Sequence, residues 1–387
     1  SRRRPRVQIP SGPINLFNMT KRMKNYSDGR FDYVKLSPQE RKVKKNILKK
    51  EVRQIKIIPS TTIAELVSDM ADMSIQARNI GQCAKVLENM YEDKKRPTVF
   101  LGLAGPLIAA GLRRVIRDLI VANAVDVVVS TGAIIFQDVY NALGHRHFKG
   151  IPSANDSMLH DLRIDRIYDT YTDEEMFWKV DNFCGRVADK MPAGNYSSRQ
   201  YLKYLAKEIH DEESILYQCE KYGVPVFVPA LNDSTIGIGL TEHRVRCKKE
   251  GRSGIAIDSI MDNDEIVQIV VNSKSTSCIY VAGGVPKNYI NDAIVMGYIY
   301  GREKGHDYAI QITTAVVEDG GLSGSTLEEA KSWGKVDRKA RSAMAWVEPS
   351  VSLPLLSGYI LGKKLTKGRK RLRFEWEKDN LKKMELK

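Results

Sequence analysis

Five apolar runs of this chain end alike, in a turn of small residues: LAGP (103–106), STGA (130–133), LNDS (231–234), VAGG (281–284) and TTAV (313–316). The runs before them, such as PTVFLGLAG (97–105), VPVFVPAL (224–231), SCIYVAGG (277–284) and YAIQITTA (308–315), are too short and too apolar for amphipathic helices. GIAID (254–258) and SAMAWVE (342–348) read as further strands. Segments of helical period, including PLIAAGLRRVIRDLIVANA (106–124) and IFQDVYNALG (135–144), separate most of them. Short runs buried on both faces, alternating with helices, predict an α/β fold with a largely parallel sheet. Ligands of such sheets bind at the carboxyl ends of the strands, where glycines let backbone N–H groups approach an anion. Five such turns in one chain point to a nucleotide crevice, although neither G-x-G-x-x-G nor a P-loop occurs.

Charge divides the chain. Residues 1–57 carry 17 Lys/Arg against 4 Asp/Glu, and residues 361–387 carry 11 against 4, so of the net +14 the span 58–360 holds −6. The expected organisation is a basic N-terminal arm (1–57), a catalytic body (58–360) and a basic C-terminal tail (361–387). The arm reads as irregular through residue 33, with Pro5, Pro10 and Pro13, and then as a Lys-rich helix from Ser37 to about Ile57. Ser60-Thr61-Thr62 offers an N-cap for a long amphipathic helix bearing Ile63, Leu66, Val67, Met70 and Met73. The polar section 150–210 reads as an insertion over one end of the sheet. Basic ends are compatible with nucleic acid, but no nucleic-acid motif accompanies them, and solvated tails are the expected state. No apolar run reaches the length of a membrane span and no signal peptide is visible. Five scattered cysteines without a C-x-x-C argue for a reducing compartment, and the expected location is cytoplasmic.

One stretch carries candidate chemistry: GGLSGSTLEEAKSWGKVD (320–337). A lysine amine can form an imine with a carbonyl or exchange into an existing imine, provided it is neutral when it attacks. Lys335 follows Trp333-Gly334, and Glu328 and Glu329 lie about one turn before the Trp. Read locally, the same residues also describe a helix end, with Gly334 as cap and Lys335 favoured by the dipole. His145-Arg146-His147 lacks a third ligand and reads as a surface pair, so no metal site is expected.

SWGKV (332–336), with GGLSGSTLEEA before it, resembles the active-site signature of the deoxyhypusine synthase family. TVFLGLAGPLIAAGLR (98–113), DVVVSTGAIIFQD (126–138), PVFVPALNDSTIG (225–237), YVAGGVPKNYI (280–290) and YAIQITTA (308–315) resemble further family blocks in family order, over roughly residues 60–360. The resemblance implies a Rossmann-like, doubly wound sheet with helices on both faces. It also implies NAD as cofactor and aminobutyl transfer from spermidine, through a covalent imine on an active-site lysine, to a lysine of the hypusine-bearing translation factor. Related bacterial and archaeal members pass the group to a free diamine instead, and a paralogue that binds NAD without turnover is a further alternative. Family members assemble as homotetramers, dimers of dimers. Some carry an N-terminal helix over a neighbour's site entrance, a role the helix near 37–57 would take by position.

Carried over motif by motif, Lys335 is the imine-forming lysine. Gly320, Gly321, Glu329 and Trp333 are substrate-binding. Leu107, Ile108, Ala109, Thr131, Gly132, Ala133, Asp233, Gly283, Thr314, Ala315, Asp319 and Glu348 face the cofactor, Glu348 holding a ribose hydroxyl. Phe136, Gln137, Ile238 and Leu322 stand where eukaryotic members have carboxylates, and Asn288 where they have a histidine. Each exchange removes a partner for a polyamine amine, since a buried ammonium needs one. GGLSG and VPKNY resemble the archaeal and bacterial branch.

Overall fold

The structure is a computed structural model and describes residues 36–387. The irregular stretch expected through residue 33 lies outside the described residues. Two compact units divide at Val52/Arg53 rather than at residue 57. In the first, the expected helix spans only Pro38–Ile47, opened by a capping box between Ser37 and Glu40. Beyond Leu48, the β-branched Val52, Ile55, Ile57 and Ile58 lead to Pro59, a composition that disfavours helix. Residues from Arg53 onward belong to the second unit, where the Arg53 guanidinium lies 2.9 Å from Asp69.

In the second unit Thr62 caps a helix as its sequence suggests, with Glu65 completing the box, but that helix stops at Met70 and a new one runs Ile75–Glu92. Thirteen strands follow among the described residues. In chain order they are β1 (Thr98–Leu103), β2 (Val127–Ser130), β3 (Phe148–Lys149), β4 (Ile164–Ile167), β5 (Thr170–Asp173), β6 (Gly194–Tyr196), β7 (Val226–Phe227), β8 (Ile255–Ile257), β9 (Thr276–Val281), β10 (His306–Ile312), β11 (Val336–Ala345), β12 (Leu372–Glu377) and β13 (Asn380–Leu386). Six form one parallel sheet in the order β11-β10-β9-β1-β2-β7. Counted within that sheet, the order is the doubly wound 3-2-1-4-5-6, whose winding reverses between β1 and β9. GIAID does form a strand, but β8 pairs with β6 outside this sheet. VPVFVPAL yields only two strand residues at the sheet's edge.

Alternation along the strands sorts their side chains into two cores. Val99, Leu101, Leu103, Val128, Ile279, Val281, Ile310 and Ile312 pack on one face, against helices that include Ile75–Glu92 and Pro349–Gly362. Phe100, Val127, Val129, Cys278, Tyr280 and Ala309 pack on the other, against Ser259–Asn272 and Gly284–Met296. Both faces being covered is why the strands read as continuous apolar runs. Gly102 in β1 permits the close approach of the second layer, since a Cβ there would lie 3.1 Å from Tyr280 and 3.2 Å from Ile290. The insertion at 150–210 supplies β4 and β5, which join β3 in a small antiparallel sheet, and the helices Glu174–Asp189 and Ser198–Lys207.

Residues 361–387 are not a solvated tail. β12 and β13 form a hairpin whose Phe374, Trp376, Leu381 and Met384 pack on the second core. The three arginines at its start point inward. Arg369 pairs with buried Asp126, Arg371 donates to the carbonyls of Ile120 and Val121 at one helix end, and Arg373 donates to Tyr222 O at another. Guanidiniums on helix carboxyl ends satisfy orphan carbonyls and complement the dipole. The tail's three arginines are therefore structural, which a count of Lys and Arg does not reveal.

Candidate active site

All six strands of the main sheet leave their carboxyl ends along one edge, and each exit carries residues expected to face a cofactor. Leu107, Ile108 and Ala109 follow β1, Thr131–Ala133 follow β2, and Asp233 follows β7. Gly283 follows β9, Thr314, Ala315 and Asp319 follow β10, and Glu348 follows β11. Of the helices that start along this edge, those at Gly132 and Thr235 have no side-chain cap on their first N–H groups, and the one at Gly284 has only its first N–H taken, by Ser323 Oγ. Uncapped helix N-termini at the reversal of a doubly wound sheet are where a dinucleotide's phosphates bind. A Cβ placed on Gly105, Gly284, Gly320 or Gly321 would meet nothing within 4 Å, so the backbone there is open to a ligand. The residues present therefore fit a dinucleotide.

The residues along this edge are held in different ways. Leu107 and Ile108 are buried. The Ala109 N–H donates to Gln137 Oε1 at 3.2 Å. Glu348 is exposed and caps the helix Pro349–Gly362, Oε2 accepting from Ser350 N at 2.7 Å. Asp233, Thr314 and Asp319 are exposed. Phe136 lies in the core, edge-on to Phe177 at 5.0 Å, and Ile238 is exposed.

Lys335 sits just before β11, and its backbone carbonyl accepts from His306 N. Its local reading as the residue after a capping glycine also holds, because Gly334 has φ +70°. Its side chain turns to the helix Gly284–Met296. Nζ donates to Asn288 Oδ1 at 3.1 Å, lies 3.2 Å from Asp292 Oδ1 and stands 5.4 Å from the Trp333 ring centroid. Asn288 Nδ2 donates to Asp292 Oδ2 at 2.8 Å. Asn288 is one turn from Gly284, about 6 Å along the axis, so this helix joins the cofactor edge to the lysine.

The glycine-rich loop before Lys335 is docked on the same helix. Gly284 N donates to Ser323 Oγ, and buried Gln311 donates to Ala282 O and Ser323 O. Buried Lys287 donates to Leu322 O, Ser325 O and Ser325 Oγ at 3.0, 2.6 and 3.0 Å. Burial pushes the Lys287 amine down to about 8; Glu329 opposes this and Lys335 adds to it. Gly283 allows the contact, since a Cβ there would lie 2.6 Å from Ser323 Cα. Lys287, Asp292 and Gln311 were not anticipated from sequence. The 288/292 spacing on a helix opened by Gly-Gly was the available signal.

Replacing Lys287 by Met removes all three loop bonds at similar length. We expect a loss of about 2–4 kcal/mol, from three acceptors stripped of a charged partner, read by denaturant unfolding. Because the folded amine titrates near 8, below the unfolded value, the unfolded chain binds more protons between about pH 8 and 10.4. Wild-type stability from this group therefore rises with pH across that window, and the Met variant lacks the rise.

Elsewhere among the described residues, Asp189, His243 and Cys247 bring potential metal donors within 4.8 Å of one another. His243 Nε2 accepts from Ile255 N, so Nδ1 carries the proton donated to Asp189 Oδ1 at 2.8 Å. Asp189 also takes Arg246 and Arg252. Both ring nitrogens are used and two guanidiniums sit on the carboxylate, which describes a structural knot. His145 and His147 instead pack on the Tyr140 ring, at 5.0 and 5.4 Å.

The comparisons with known proteins agree with this arrangement. The family model "Deoxyhypusine synthase" matches residues 65–360. A "Deoxyhypusine synthase-like protein" of Chlorobaculum parvum is 41% identical over 339 residues, covering 86% of this chain and 95% of the relative. A "Probable deoxyhypusine synthase 2" of Methanosarcina acetivorans is 40% identical over 305 residues, covering 78% and 87%. A crystal structure described as a candidate deoxyhypusine synthase from Entamoeba histolytica superposes with TM-score 0.54 at 17% identity, over 80% of this chain and 97% of that one. That likeness supports the fold, and the family match spans both the cofactor edge and the Lys335 loop. The chain belongs to the deoxyhypusine synthase family.

Proposed function

We propose that this chain is an NAD-dependent aminobutyl transferase that takes the group from spermidine, carries it as an imine on Lys335 and delivers it to a lysine of the hypusine-bearing translation factor. The observation that carries the reading is the position of the Lys335 amine, held by Asn288 and Asp292 one helical turn from the glycine end of the crevice. Bound NAD would supply a hydride acceptor for the donor's amine-bearing carbon and return the hydride to the product. The first turns of the helices at Gly132 and Thr235 would hold its phosphates, with Thr131, Asp233, Thr314, Asp319 and Glu348 around the rest. Lys335 would exchange into the oxidised donor's imine and release diaminopropane. Glu329 and the exposed face of Trp333 would hold the polyamine's cationic ends. The family's tetramer, a dimer of dimers, would complete the exposed parts of the site, and a cytoplasmic location fits the acceptor.

A free diamine as acceptor is the second reading. It is favoured by buried Phe136 and exposed Ile238, which offer no charge where eukaryotic members use carboxylates. Incubation with NAD and labelled spermidine, followed by borohydride, is expected to leave labelled aminobutyl on the Lys335 peptide. Label released to the translation factor supports the first reading, and label released to putrescine the second. Absence of label while NAD still binds would leave an NAD-binding paralogue without turnover.

A further inference from the structure

Asp292 is a carboxylate beside the Lys335 amine. We infer that Asp292 is the counter-ion of the protonated imine formed on Lys335, and that Asn288 holds it in place for that role. The inference rests on Lys335 being an imine former.

The geometry separates the two partners. An ammonium has three N–H bonds, enough for both Asn288 Oδ1 at 3.1 Å and Asp292 Oδ1 at 3.2 Å. A protonated imine keeps one N–H and the full positive charge. That bond is worth most on the carboxylate, because a charge-assisted hydrogen bond is about twice as strong as a neutral one. Asn288 then loses its bond to nitrogen but keeps Nδ2 on Asp292 Oδ2 at 2.8 Å, so the carboxylate stays aimed. The other charged groups near Nζ are placed differently. Lys287 points into the loop carbonyls, Glu329 caps its own turn through Thr326, and the Trp333 face supplies no proton acceptor.

The chemistry requires such a group. In the exchange, Nζ bonds to the carbon that the departing amine leaves, the proton lost by Nζ ends on that amine, and no electrons leave the pair. The next amine adds to the same carbon and Lys335 leaves with a proton. Both additions need the imine protonated, since the neutral imine is a poor electrophile. A carboxylate at this distance keeps the proton on.

Pyridoxal is a suitable probe, because its lysine imines absorb differently when protonated and neutral. The full chain is titrated with pyridoxal bound, and the Lys335→Ala spectrum is subtracted to isolate the Lys335 signal. In Asp292→Asn the imine is expected to lose its proton about one pH unit lower, roughly tenfold in the equilibrium. Asp292→Glu restores most of the shift, and Asn288→Ala moves it less than Asp292→Asn. If Asp292→Asn fails to fold, Asp292→Ser is read the same way. An unmoved midpoint in these variants overturns the counter-ion, while spermidine labelling of Lys335 in the wild type leaves the proposed function standing. A moved midpoint without spermidine labelling keeps the counter-ion and sinks the transferase reading. Absence of any Lys335-specific imine sinks both.

Discussion

Lys335→Arg is expected to abolish labelled aminobutyl capture and lower turnover by roughly a thousandfold or more, the scale of removing a covalent nucleophile. The arginine keeps a positive charge opposite Asp292 and can donate to Asn288 Oδ1, so the local ion pair survives. It stays protonated and forms no imine under these conditions. A side chain only about 14% exposed and already paired through its charge should tolerate this change with little loss of stability. Thermal unfolding and NAD binding near wild type, beside lost capture, are the expected pair of results. Retained capture in Lys335→Arg would remove Lys335 from the chemistry, and a parallel loss of NAD binding would make its role structural.

The outcome for the sequence reading depends on the kind of signal each residue carried. The parallel sheet was legible because its strands are buried on both faces, which leaves an unbroken apolar run. Strand order was not, since nothing local states that β9 returns beside β1 while β7 goes to the far edge. The shared carboxyl edge of the strands was legible from small residues at their exits. Asp292 was not, because its meaning depends on Lys335, which lies 43 residues away in sequence and 3.2 Å away in space. Local patterning also placed the helix starts near Ser37 and Thr62 but overextended the helices after them, because a favourable start says little about where packing ceases to support a helix.

The hairpin supplies the largest expected stability effect. Asp126 is buried between Arg96 and Arg369, with Oδ1 2.8 Å from Arg96 Nη2 and Oδ2 2.5 Å from Arg369 Nη2. Oδ2 also accepts from Val99 N at the start of β1. Burial pushes the Asp126 carboxyl upward, but the charges of Arg369 and Arg96 outweigh it and hold the carboxyl below the usual range. Asp126→Ala leaves two largely buried guanidiniums with carbonyl partners but no counter-charge, which costs about 3–5 kcal/mol. It also frees the entry of the hairpin, whose far end stays tied by Arg199 against Trp376 and by its bond to Lys378 O. Denaturant unfolding should show that loss, and hydrogen exchange should show β12–β13 opening before the main sheet. The sign with pH follows from the lowered carboxyl. Its stabilisation is complete above the unfolded value near 3.9 and is lost as pH falls through the folded value. Wild type and Asp126→Ala should therefore differ most above about pH 5 and converge in acid. A gap that persists unchanged at low pH would place the effect in packing rather than in the ion pair.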